Sequence, residues 1–146
     1  MEDKKEDLKN EIIKTEKDWF LQDLVGMVNN SNLTIGLTIV THGFLVSGTL
    51  IGGKQYFIGF GEEMDTGIGE TDNGKTIREN FEKIGTEIYS EEKQKKDGNP
   101  TFIHFKEAKF FHPNGNPIPG NRGVWWRGRI SEVSGFSLGT LNAEQN

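Results

Sequence analysis

The 146-residue chain contains no cysteine. Disulfide staples, thiolate zinc sites and a cysteine nucleophile are therefore excluded. Nowhere does an uncharged apolar stretch approach the ~18–20 residues that span a bilayer. The opening MEDKKEDLKNEIIKTEKD is charged throughout and lacks the apolar run of ~7–15 residues a signal peptide needs. With no cysteine pairs to suit an oxidising compartment, these gaps predict a cytoplasmic protein with no membrane partner. Basic excess is missing too: 17 Lys and Arg face 22 Asp and Glu, a net charge of −5. That argues against a general polyanion binder. Apolar residues make up only 33% of the chain, but 19 glycines bring the usual apolar-plus-glycine count to a globular value. Ten Phe, three Trp and two Tyr supply large areas to bury.

Charge and periodicity then divide the chain. Glu62, Glu63, Asp65, Glu70 and Asp72 carry the acidity of residues 61–74, which hold no basic residue and read as an acidic loop. Leu8, Ile12, Trp19, Phe20, Leu24 and Val28 recur at helical steps, and Asn29-Asn30-Ser31-Asn32 stops that helix. Leu33, Ile35, Leu37 and Ile39 alternate with Thr34, Gly36 and Thr38, a strand period. Thr41-His42-Gly43 reads as a turn into Phe44–Ile51, and Gly52-Gly53 as a hairpin into a third strand, Lys54–Phe60. Gly36, Gly48 and Gly59 inside these strands predict bends that curl the sheet. A second helix is expected from Lys75 to Lys96, capped by Asp72 or Asn73, on the apolar row Ile77, Phe81, Ile84 and Ile88. Strands return at Thr101–His112, Gly123–Val133 and Gly135–Gly139.

Motifs with chemical meaning are few. Gly69–Thr76 spells GETDNGKT, matching G-x-x-x-x-G-K-[ST], with Gly69, Gly74, Lys75 and Thr76 in the nucleotide-binding positions. A phosphate-binding loop leaves a parallel strand, whereas the strands upstream read as hairpins, and the surrounding carboxylates repel a triphosphate. The plainer reading is an acidic helix start. His42, His104 and His112 are scattered, and read as solvated or turn residues; no metal site is expected. No G-x-S-x-G elbow supports a triad from Ser47, His42 and Asp23, so no catalytic residue is assigned. In Trp125-Trp126-Arg127-Gly128-Arg129, strand alternation puts Trp125, Arg127 and Arg129 on one face and Val124, Trp126 and Ile130 on the other. Tryptophan and arginine together suit a protein interface, and the acidic balance disfavours nucleic acid.

Three runs carry a resemblance: LTIGLTIVTHGFLVSGTLIGGKQYF at 33–57, TFIHFKEAKFF at 101–111 and VWWRGRISEVSGFSLG at 124–139. With the preceding DWFLQDLVGMVNNSN, they resemble the gas vesicle accessory protein GvpU family across most of residues 18–139. That resemblance implies a small bacterial cytoplasmic accessory protein without a cofactor. It implies organising or clustering of gas vesicles through self-association or contact with the shell, not chemistry. The helix and meander with Leu37, Gly43, Gly48 and Leu50, and the later RGRIS strand, are also similar to Sm-like barrels, which form rings and often bind RNA.

The expected architecture is thus a single α+β unit at 18–139, between a charged extension at 1–17 and a polar tail at 140–146. It comprises a strongly bent antiparallel sheet or small barrel of five or six strands. One helix covers an open end, and a second lies in an insertion at 61–98. Trp19, Phe20, Trp125, Arg127 and Arg129 are the candidate contact residues, with core packing the competing role for Phe20 and Trp126. Nucleotide binding at 69–76 and an RNA-binding ring are the alternatives.

Overall fold

Asp18 caps the helix that begins at Trp19: its carboxylate accepts from the Phe20 and Leu21 amides at 2.9 and 3.3 Å, satisfying donors that have no intrahelical partner. Helix α1 runs Trp19–Asn29 and buries Leu21, Val25 and Val28 completely. The expected row of Phe20, Leu24 and Val28 is rotated by about one residue, so Phe20 and Leu24 flank the buried stripe. Ser31 closes the end by donating to the Met27 carbonyl at 2.6 Å. The computed structural model describes residues 2–6, 17–69, 71–90 and 99–141. Leu8 and Ile12, Glu70, the C-terminal end expected for the second helix and most of the polar tail lie outside these residues.

Strands β1 (Ile35–Thr41) and β2 (Phe44–Ile51) pair antiparallel with Thr41 opposite Phe44. His42 and Gly43 both take positive φ, 50° and 79°, as a two-residue type I′ hairpin requires. Strands β3 (Phe102–Phe111), β4 (Val124–Arg129) and β5 (Val133–Leu138) complete an antiparallel sheet in the order β4-β3-β2-β1-β5. The fold is α+β, as the patterning predicts, and the sheet is open: β4 and β5 form its two edges.

The sheet is nevertheless bent hard. A flat five-stranded sheet holds its outer strands roughly 19 Å apart. The link between those edges is a single 3₁₀ turn, Ile130–Glu132. From Arg129 to Val133 the chain reaches at most roughly 14 Å, so the edges must curl towards each other. Both ends of the turn are tied down. The Ile130 amide donates to the Thr101 carbonyl at 2.9 Å, and the Thr41 hydroxyl to the Glu132 carbonyl at 2.8 Å. Gly48 sits where the β2–β3 register shifts, and a side chain there would press on Ala108 and the Lys106 carbonyl. The concave face holds the core: Leu37, Ile39, Val46, Leu50, Ile103, Phe105 and Ile130, closed over by α1.

Lys54–Phe60 is not a strand. It belongs to helix α2, Gly53–Ile68, which with helix α3, Asp72–Ile88, forms a helical hairpin between β2 and β3. The insertion therefore begins at Gly53, not at residue 61. Gly52-Gly53 opens a helix in place of a turn, and the Gly53 amide donates to the Asn29 side chain at 3.0 Å. The helical period is hidden because glycine fills the buried face. Gly53, Gly59 and Gly61 are buried beside Tyr56, leaving an apolar pattern that reads as a strand. Nor is 61–74 simply a loop: Glu62, Glu63 and Asp65 are in α2 and Asp72 is in the first turn of α3. The cap of α3 is Thr71, not Asp72 or Asn73; its hydroxyl accepts from the Gly74 amide at 3.2 Å.

Candidate functional site

The beginning of α1 presents an apolar surface. Trp19 is 63% exposed and Phe20 50%, and their rings meet edge to face at 5.8 Å. Phe20 also touches Phe136 of β5, with centroids 5.6 Å apart. Leu138, two residues along the same strand and so on the same face, is 80% exposed. Trp19 and Phe20 are thus at the surface, with Phe20 half-seated on the sheet edge. Neither Phe136 nor Leu138 was legible as part of this surface, because alternation gives a residue's face but not which strand lies outermost.

Strand β4 divides as alternation predicts. Val124 and Trp126 pack on the core, and Ile130 belongs to it. On the opposite face, Trp125 lies against α2 at Gly59, where any side chain would collide with its ring, and near Tyr56 at 6.4 Å. Trp125 therefore fastens the helical hairpin to the sheet. Arg127 and Arg129 remain exposed. The Arg127 guanidinium stacks 3.6 Å from the centre of the Phe102 ring, a cation–π contact, and its Nε donates to His104 Nε2 at 3.1 Å.

His104 departs from the expected solvated histidine; His42 and His112 are exposed. Its side chain is fully buried between β3 and the hairpin, with Tyr56, Phe57 and Tyr89 rings at 4.8, 6.1 and 5.5 Å. Arginine is always a donor, so Nε2 is the accepting nitrogen and the proton of the neutral ring sits on Nδ1. Nδ1 is buried with no hydrogen-bond partner. Burial, and then the Arg127 charge, lower the His104 pKa from 6.5 to about 3. Burial raises the pKa of Tyr56, against a smaller lowering by Arg127. The helical insertion over this face is what removes His104 from solvent.

The GETDNGKT stretch is not built as a phosphate loop. Gly69, at φ 91°, ends α2 with its amide on the Thr66 carbonyl, and Gly74, Lys75 and Thr76 already lie in α3. It joins helix to helix, whereas a phosphate loop leaves a strand. The local groups are taken: Thr71 accepts from the Gly74 amide, the Lys75 amide donates to the Thr71 carbonyl, and the Thr76 hydroxyl donates to the Asp72 carbonyl. Asp65 Oδ1 is buried against Gly74, and Asp65 Oδ2 lies 3.8 Å from Arg78. The Asp65 carboxylate beside the helix start repels a phosphate there. Among the described residues no cluster of His, Asp or Glu is arranged to hold a metal ion, and no helix is long and apolar enough to cross a membrane.

Neither a curated protein nor a solved structure matches the chain. Residues 18–141, from the cap of α1 to just beyond β5, match the family described as gas vesicle protein GvpU-like. That span contains β1 to β5, the helical hairpin and the exposed α1 surface, so the chain belongs to the GvpU-like family of gas vesicle proteins.

Proposed function

We propose that this protein gathers gas vesicles in the bacterial cytoplasm, acting through self-association and contact with the vesicle shell, without catalysing a reaction. The observation that carries this reading is the exposed Trp19–Phe20 pair on α1, continued by Phe136 and Leu138. An aromatic anchor in an exposed apolar patch is the usual makeup of a binding surface. Family membership supplies the gas vesicle as the context of that surface. Purified vesicles mixed with the full chain should co-sediment with it and pass from dispersed to grouped. The Trp19→Ala, Phe20→Ala double variant should leave them dispersed. Normal vesicle number, shape and grouping in cells lacking the protein would overturn the proposal. A salt-sensitive shift of labelled RNA would favour the ring reading instead.

A further inference from the structure

We propose that the outer side of α1 seats an amphipathic helix of another protein, one that sets a lysine or arginine among its apolar residues. This rests on the reading of α1 as a contact surface given above, and names the kind of partner that surface fits. Leu21, Val25 and Val28 turn one side of α1 into the core. On the other side Trp19, Asp23 and Met27 stand four residues apart and so form a row. Trp19 is 63% and Met27 51% exposed, and Phe20, seven residues before Met27, widens the row. A helix of about three turns thus carries an apolar stripe facing solvent as well as a buried one.

Gly26 points to a helix as the occupant. It comes three residues after Asp23 and seven after Trp19, hence on the same side of α1. Glycine inside a helix is less favourable than alanine. Among the described residues nothing lies within 4 Å of the place a side chain at Gly26 would fill, and its φ is not positive. Neither packing nor backbone conformation within the chain therefore calls for glycine there. A missing side chain does let a second helix come close, since the side chains at the contact set the distance between helix axes. Charge then selects which helix. Asp18 and Asp23 are the only charged residues from 18 to 29. Asp18 caps α1, while Asp23 is exposed and, among the described residues, in no ion pair. Residue 23 is midway between Trp19 and Met27, so packing α1 on α1 of a second copy through this row sets carboxylate against carboxylate. That repulsion disfavours a second copy, and a cation on a different helix relieves it. Trp19 supplies an aromatic anchor and Met27 an adaptable thioether, as helix-binding surfaces use.

The test uses the full chain and two labelled peptides of equal length. Both carry leucine at helical spacing, one with lysine and the other with glutamate at the remaining positions. Fluorescence anisotropy should show wild type binding the lysine peptide at least about tenfold more tightly than the glutamate peptide. Asp23→Lys should reverse that preference. Gly26→Ala should melt higher than wild type and yet bind the lysine peptide about tenfold more weakly, a combination that a merely structural glycine does not give. The proposal is overturned if wild type binds the two peptides equally, if Asp23→Lys leaves the preference unmoved, or if Gly26→Ala binds as tightly as wild type. It also falls if Gly26→Ala abolishes self-association in sedimentation velocity while peptide binding is untouched, since α1 then serves a second copy. Binding of wild type to vesicles of phosphatidylcholine and phosphatidylglycerol, with neither peptide bound, would overturn it in favour of a lipid surface. Gas vesicles grouped by a wild type that binds neither peptide would sink the helix seat and keep the function. A wild type that binds the lysine peptide through Asp23 and Gly26 but leaves gas vesicles dispersed would do the reverse.

Discussion

At His104 one side chain records what the helical hairpin does to the sheet. The folded protein holds it neutral, with a pKa lowered from 6.5 to about 3 by burial and then by Arg127. An unfolded chain binds a proton there as the pH falls below 6.5, and the folded chain does not. Stability is thus fully present above that value and declines down to about 3, by up to about 1.4 kcal/mol per pH unit. Between about pH 7.5 and about pH 5.5 that amounts to about 1.4 kcal/mol. Urea unfolding at both pH values should show this loss in wild type. In His104→Phe, which keeps a ring among Tyr56, Phe57 and Tyr89, that part of the loss should vanish. Equal pH slopes in the two proteins would mean that His104 is accessible to protons. Alternation along β3 sets His104 on the face opposite Ile103 and Phe105. Its burial was not legible, since nothing nearby announces the helices that cover it.

Helix α2 is the element at which local pattern and structure part. Its glycines are not equivalent, and the difference is measurable. Gly67 is exposed with open space about it, so Gly67→Ala should stabilise the protein by about 0.5–1 kcal/mol through helix propensity alone. Gly85 of α3 faces the Lys54 carbonyl, with only 3.0 Å left for a side chain, and Phe57 at 3.2 Å. Gly85→Ala should push the two helices apart and cost about 1–3 kcal/mol. Thr71→Ala removes the acceptor for the Gly74 amide and should cost about 1 kcal/mol. Thermal melts of the three variants should rank in that way. Gly85→Ala without loss would refute the close-packed hairpin, and Gly67→Ala without stabilisation would mean that residue 67 is not in open helix. The row Ile77, Phe81, Ile84 and Ile88 revealed α3, because large side chains mark its period. In α2 glycines share the contact surface with Tyr56, Phe57 and Phe60, so the hydrophobic period is broken where the glycines sit.

For the molecule as a whole, stability and assembly should separate. Trp19 stands largely in solvent and Phe20 half in it, so the double alanine variant should fold at nearly the wild-type denaturant midpoint, losing mainly the Phe20–Phe136 contact of about 1 kcal/mol. Its grouping of vesicles should nonetheless fail. Substituting Leu21 or Val25, fully buried one turn apart, should instead cost about 2–5 kcal/mol, with grouping lost only as the fold is lost. Denaturant curves and vesicle sedimentation on the same preparations distinguish the two classes. If the surface variant proved as unstable as the core variants, the α1 patch would be structural and not a binding surface.

The sequence by itself determined the α+β class, α1, β1, β2 and α3, the alternation of Trp125 and Trp126, and the absence of thiol chemistry. Each of these is written in local terms: a period, a cap, a turn, a missing residue type. The family was legible too, from long runs along the chain. Tertiary structure alone decided that 54–60 is helical, that Trp125 serves the hairpin, that His104 is sealed from water and that β4 and β5 are the open edges. Those facts depend on which distant segment covers which face. A three-residue link between opposite edges bends the sheet, and a pair of glycine-faced helices covers its back. Neither constraint has a period to read along the chain, because both are satisfied between residues remote in sequence.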